Sequence, residues 1–234
     1  MHESSHGTSF RLYCYGRENR NGNDIGKGNM LDIAVGIISD FPAAGRVMKE
    51  LAAGIGDDEA TEIYGRLVGN SVNEVTTAGF QSCFRAAFIS EGGLLSDFRD
   101  RFPGLDLYYR QEGDDPGEVM KWALSELIEQ EGARKAIIVI PDSPDLTSAI
   151  IEEAAQLLET HDVVVGPSTD GQYYLIGMKM IKPSLFTMIE WGTDKVLSTT
   201  VEKAEREKQK VATTATLRML RNSGDYEFFK DKLR

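Results

Sequence analysis

Apolar residues along this chain follow two alternating rhythms. Residues 31–38 are almost continuously apolar, which is how a strand covered on both faces reads. After Asp57 and Asp58, Ala60, Ile63, Tyr64, Leu67, Val68 and Val72 recur at helical spacing, and the two acidic residues suit the positive end of a helix. The alternation then repeats. Residues 83–89 and 105–109 read as strands, with a short helix near 94–101 between them. Pro116 sits well in the first turn of a helix whose apolar rows are Val119/Met120, Ala123/Leu124 and Leu127/Ile128. Residues 136–140 (AIIVI) read as a central strand, and 146–160 as a helix that turns Ile150, Ile151, Ala154, Leu157 and Leu158 inward. Strands follow at 163–165 and 173–178, then a charged amphipathic helix at 193–208, a short strand at 211–214 and a terminal helix at 223–234. Residues 39–56, rich in Gly, Ala and Pro, read as a long loop with room for one helical turn.

Alternating strands and helices imply an α/β three-layer sandwich with a mostly parallel central sheet. The close spacing of 163–165 and 173–178 implies one antiparallel element. No internal linker interrupts the pattern, so residues 30–234 read as one domain. Residues 1–29 are rich in Gly, Asn, Ser and Arg and read as a loosely ordered N-terminal extension, with Met30 as the expected natural start.

Composition narrows the function. Hydrophobic residues make up 41% and charged residues 27%, an ordinary globular balance. The formal net charge of −11 argues against a broad basic face for nucleic acid or anionic lipid. No apolar run approaches the ~20 residues of a membrane span, and no apolar core of a signal peptide is visible. Cys14 and Cys83 are too few for a disulfide framework and lack zinc spacing; two reduced thiols in a cytoplasmic protein are expected. His2, His6 and His161 form no metal-ligand pair.

Two segments fall beyond strand ends, where open α/β sheets bind ligands. The first is Pro141-Asp142-Ser143-Pro144-Asp145-Leu146, directly after the AIIVI strand. A carboxylate there can hold Mg²⁺ or Mn²⁺ against a diphosphate, or can simply stabilise the turn by bonding its own backbone. Asp145, just before a helix, reads more simply as a stabiliser of that terminus. The second is the loop carrying Pro42, Gly45, Arg46 and Lys49, small residues with cations beside a strand end. It either wraps a nucleotide or is a flexible surface loop; it is not a phosphate-binding loop of the G-x-x-x-x-G-K-[ST] type.

The order of motifs resembles the rSAM/selenodomain-associated transferases, bacterial members of the nucleotide-diphospho-sugar transferase superfamily with a glycosyltransferase-A-type fold. Where that family shows P-x-P-G-x-V-K-T-R-L, G-D-L-G-E-R-M, T-D-S-P-D-L, D-G-G-Y-Y-L-I-G and W-S-T, this chain has FPAAGRVMKEL at 41–51, DDPGEVM at 114–120, PDSPDL at 141–146, DGQYYLIG at 170–177 and WGT at 191–193. The resemblance implies that Asp142 meets metal and nucleotide diphosphate, with Pro42, Gly45, Arg46, Val47 and Lys49 on the nucleotide side. It implies that Asp170, Gly171, Tyr173 and Tyr174 lie near sugar or acceptor, with Trp191 and Thr193 beyond them, and that Glu118 and Met120 match the third motif. Bottom-up, Asp170-Gly171 equally reads as a tight turn, one of Tyr173 and Tyr174 is expected in the core because strand side chains alternate, and Trp191 equally serves packing. The departures are Met48 and Glu50 for a lysine and an arginine, Val119 for an arginine, and Arg218-Met219-Leu220-Arg221-Asn222 for an acidic stretch.

Three functions follow as expectations. The first is glycosyl transfer from a nucleotide-diphospho-sugar with Mg²⁺ or Mn²⁺, using Asp142 and Asp170 as catalytic residues and an acceptor the sequence does not identify. The second is nucleotidyl transfer on the same fold. The third is a nucleotide-binding or interaction protein that has lost catalysis, supported by Met48, Glu50, Val119 and Arg221.

Overall fold

The computed structural model describes residues 32–79, 83–89 and 93–233 of the chain. The expectations for residues 1–29 and Met30 lie outside the described residues. Seven strands form one sheet in the order β3-β2-β1-β4-β6-β5-β7. They are β1 (Ile33–Ser39), β2 (Cys83–Ile89), β3 (Leu107–Arg110), β4 (Lys135–Val139), β5 (Val163–Pro167), β6 (Tyr173–Met178) and β7 (Val211–Thr213). β6 runs antiparallel to both of its neighbours, β4 and β5; every other pairing is parallel. The α/β sandwich with one antiparallel strand is as the sequence pattern implies.

Helices cover both faces. On one side α2 (Asp57–Thr77) packs on β1 and α5 (Ser148–Thr160) on β4, burying Ile33, Val35 and Ile37 of β1 and Ile137 and Val139 of β4, while α3 (Leu95–Arg101) packs on β3. On the other, α4 (Pro116–Ser125) packs on β1 and β4 over Ala34, Ala136 and Ile138, and α6 (Val196–Arg206) joins the same core beside β7. All five residues of β4 are buried, which is why its sequence shows no alternation. The same covering corrects the expectation for the tyrosine pair. Tyr173 and Tyr174 do alternate, but each points into a core, one on either face, and both are buried.

The 39–56 segment is also corrected, since α1 (Lys49–Ile55) occupies its second half. Only Leu51 of that helix is buried, and Met48, its N-cap residue, has a left-handed backbone and no capping side-chain bond, so the usual signals are missing. α7 (Ser223–Phe229) ends five residues short of the chain terminus, packs with α1, and shares a small core of Leu51, Ile63, Leu67, Leu220 and Phe229 with α2. Asp145 does not cap α5, whose N-cap residue is Thr147; its carboxylate instead pairs with Lys232.

Candidate functional site

Beyond β1 the chain crosses to β2 and β3 on one side, then returns to place β4 on the other side of β1. The carboxyl ends of β1 and β4 therefore open into a crevice at the point where strand order reverses. A cavity of about 680 Å³ lies there, within the size range of small-molecule sites. Ser39 and Asp40 reach it from β1, and Ile140, Pro141 and Asp142 from β4.

Asp142 is fixed from both ends. Its carbonyl accepts from the Leu220 N–H at 2.7 Å, and the next residue's hydroxyl, Ser143 Oγ, donates to the Arg218 carbonyl at 2.8 Å. These bonds lay the 218–221 segment along the end of β4. Arg221 then turns its guanidinium into the crevice. Its Nη1 stands 3.1 Å from Asp142 Oδ2 and its Nε donates to Asp170 Oδ2 at 2.9 Å. One cation thus joins two carboxylates, one just past the carboxyl end of β4 and one just before the amino end of β6, which meet because the two strands are antiparallel.

The cap of α7 holds Arg221 from behind. Asn222 accepts from Gly224 N and Asp225 N, and the Asp225 carboxylate accepts from the backbone of Arg221 and Asn222 and from Arg218 Nε. Asp170 is held by its own turn, accepting from Ser168 Oγ and Gln172 N as well as from Arg221. Gly171 makes that turn possible. Its φ is +78°, and a Cβ there would lie 2.3 Å from the Asp194 carbonyl oxygen.

The electrostatics of the two carboxyls differ. Burial pushes Asp142 up, the charges of Asp40 and Asp170 add to the rise, and Arg221 opposes it. Burial also pushes Asp170 up, but the hydrogen bonds from Ser168, Arg221 and the Gln172 backbone outweigh it and hold its carboxyl below the usual range. Tyr64 of α2 closes the floor. Its hydroxyl accepts from Asp40 N at 3.0 Å and exchanges a hydrogen bond with Ser39 Oγ at 3.2 Å, and burial followed by the charges of Asp142 and Asp40 keeps it protonated.

The remaining walls come from Val47 to Glu50 on one side and from Gln111 to Met120 on the other, with Gln172, Tyr173, Trp191 and Gly192 closing the far end. Tyr173 donates to Met120 Sδ at 3.3 Å and meets Trp191 edge-on, with ring centroids 6.4 Å apart. Carboxylates of Asp40, Glu50, Asp114, Asp115 and Asp142 line the cavity against the cations of Lys49 and Arg221. The Asp115 carboxylate is already engaged in capping α4.

Of the residues singled out from the sequence, Val47, Lys49, Met120, Asp142, Tyr173 and Trp191 line this cavity, as do Met48, Glu50, Val119 and Arg221 at the positions that depart from the family pattern. Asp170 and Gly171 stand one step behind it, and Asp170 bonds Arg221 and Gln172, which do line it. Pro42 is buried outside the lining, with its carbonyl bonded to Arg101; Gly45 and Arg46 are exposed on the turn before α1. Thr193 also lies outside, its hydroxyl donating to the Glu190 carbonyl in a local turn. Asp40, Tyr64 and Gln111 were not singled out from the sequence. Asp40 and Tyr64 had a findable signal, the end of the first strand and a polar atom on a buried helix face; Gln111 has none.

The resemblance brings Mg²⁺ or Mn²⁺ to Asp142. In this structure the facing oxygens of Asp142 and Asp170 both engage Arg221, and among the described residues no group of three or more His, Cys, Asp or Glu could hold a metal ion. A second cation beside the guanidinium would meet repulsion of about 4 kcal/mol per pair of unit charges at 4 Å, taking an effective dielectric constant of 20. The donor set, as held here, does not fit a divalent ion.

A family model described as "Uncharacterized protein conserved in bacteria (DUF2064)" matches residues 75–193. A candidate nucleotide-diphospho-sugar transferase of Desulfovibrio desulfuricans G20 superposes with a TM-score of 0.77 at 25% identity, covering 87% of this chain and 89% of that one. The inositol-1-phosphate CTP transferase of T. maritima superposes with a TM-score of 0.54 at 14% identity, covering 88% and 95%. Rv0371c of Mycobacterium tuberculosis, in a complex with manganese, does so with a TM-score of 0.50 at 14% identity, covering 86% and 98%. At these last two identities the likeness is one of fold. No curated protein matches the chain. Among the described residues no helix is long and apolar enough to cross a membrane.

Proposed function

The chain belongs to the DUF2064 family, and from that premise we propose that it is a transferase acting on a nucleotide-diphospho-sugar. The observation that carries this reading is the cavity at the reversal point of the sheet, with the Arg221 guanidinium presented into it between Asp142 and Asp170. Arg221 and Lys49 meet the diphosphate, whose oxygens suit charge-assisted hydrogen bonds from a guanidinium. Asp142 and Asp170 orient Arg221. Gln111 Oε1, buried with no hydrogen-bond partner, is available to accept from the nucleobase. Tyr173 and Trp191 form an aromatic wall for the sugar or acceptor.

Glycosyl transfer and nucleotidyl transfer share this fold and differ in the bond broken. Release of a nucleoside diphosphate marks the first; release of pyrophosphate from a nucleoside triphosphate marks the second. The proposal is tested by calorimetric titration with uridine, guanosine and thymidine diphosphate sugars, followed by product analysis with any that bind. Binding of one donor and release of its nucleoside diphosphate support it. No binding across the series removes it and leaves the reading of a non-catalytic scaffold, which the acidic lining of the cavity favours.

A further inference from the structure

We propose that Arg221 is the built-in cation of this site, occupying the place between Asp142 and Asp170 where a divalent ion would sit, so that the chain engages its phosphate-bearing ligand without a metal. The proposal rests on the nucleotide-diphosphate reading above for its ligand, but its first consequence concerns the protein alone. Three observations carry it. The guanidinium contacts both carboxylates at once, 3.1 Å from Asp142 and 2.9 Å from Asp170. Arg221 is not a loose surface side chain that happens to lie there. Its backbone N–H donates to Asp225, the N–H of the preceding residue donates to the Asp142 carbonyl, and its side chain is about one-third exposed and lines the cavity. Finally, Asp170 does not line the cavity itself: one of its oxygens serves its own turn, and the other faces Arg221 Nε and Gln172 Nε2, so toward the cavity it acts by holding side chains that do line it.

A guanidinium in this position supplies what a divalent ion supplies to a diphosphate, fixed positive charge facing its oxygens. It differs in permanence, because it arrives with the fold and needs no dissociation equilibrium. It also carries one charge rather than two, so the site neutralises less of the diphosphate than a metal would.

The experiment measures Mn²⁺ binding to the ligand-free protein by electron paramagnetic resonance, comparing wild type, Arg221→Gln and Arg221→Lys, with thermal melts confirming that each variant is folded. Wild type and Arg221→Lys are expected to bind Mn²⁺ at least tenfold more weakly than Arg221→Gln, in which Asp142 and Asp170 face each other with no cation between them. Wild-type Mn²⁺ binding that is as tight as that of Arg221→Gln, and that Asp142→Asn abolishes, overturns the proposal. A parallel titration with the nucleotide-diphospho-sugars in EDTA adds the ligand. Binding in EDTA that drops at least tenfold in Arg221→Gln supports the proposal, and binding that EDTA abolishes overturns it. If no nucleotide binds under any condition, the proposed function fails while the Mn²⁺ comparison still decides the role of Arg221.

Discussion

Substituting Gly171 by alanine should cost more than its backbone conformation alone explains, because the turn that carries Asp170 is built against the start of α6. At φ +78° an alanine meets the left-handed penalty, about 1–2 kcal/mol. Its Cβ would in addition stand 2.3 Å from the carbonyl oxygen and 2.6 Å from the Cα of Asp194, both main-chain atoms that cannot rotate away. Relief requires the turn or the segment leading into α6 to shift, an overpacking cost of about 1–3 kcal/mol. Gly132 provides the comparison. Its φ is +77° but a Cβ there would have nothing within 4 Å, so Gly132→Ala pays for conformation only. With about 2–4 °C of melting temperature per kcal/mol for a domain of this size, Gly132→Ala should lower the transition by roughly 2–8 °C, and Gly171→Ala by roughly 2–12 °C more. Differential scanning calorimetry of the two variants measures the difference directly. Equal shifts would refute the claim that the turn is pressed against Asp194.

Three further outcomes follow from the site's geometry. Tyr64→Phe removes the hydroxyl that bonds Asp40 N and Ser39 Oγ beneath the cavity and should cost about 1 kcal/mol in denaturant unfolding. Asn222→Ala removes the cap of α7, for which about 1 kcal/mol is expected, and it should weaken ligand binding as well because Arg221 is the residue just before that cap. Asp170 has its folded pKa below the unfolded value, so the stability it contributes is fully present above about pH 4 and is lost as pH falls through the folded value. Below about pH 4 the wild type should therefore lose stability more steeply than Asp170→Asn, and parallel profiles in urea melts would contradict that assignment.

Much of this fold is legible in the sequence because burial is so lopsided. The AIIVI run is unbroken because β4 has helices on both faces, and Pro116 marks the start of α4 because its fixed backbone suits a first turn. The seven-residue α1 escapes notice for the opposite reason, since it buries one side chain and starts from an αL methionine. The π-helical turn at Glu126–Gln130 is silent because it prolongs the apolar rows of α4 with little change of face. The candidate site divides along similar lines. Asp142 is legible as a carboxylate at the end of a central strand. The partnership of Arg221 with it is not, because the two are far apart in sequence and meet only when the Leu220 N–H bonds to the Asp142 carbonyl. Arg46 shows how spacing misleads in the other direction. It sits among small residues beside a strand end, yet the turn at Gly45 directs it to solvent and leaves Lys49, on α1, as the cation of that segment at the cavity.

The place where a diphosphate binds is measured most directly by a crystal structure with a bound nucleotide-diphospho-sugar, grown in EDTA. The diphosphate is expected in the crevice between β1 and β4, with its oxygens within hydrogen-bond distance of the Arg221 guanidinium and that guanidinium still joined to Asp142 and Asp170. A nucleotide seated elsewhere on the chain, or Arg221 swung out of the crevice while its two carboxylates face the ligand, would contradict that expectation.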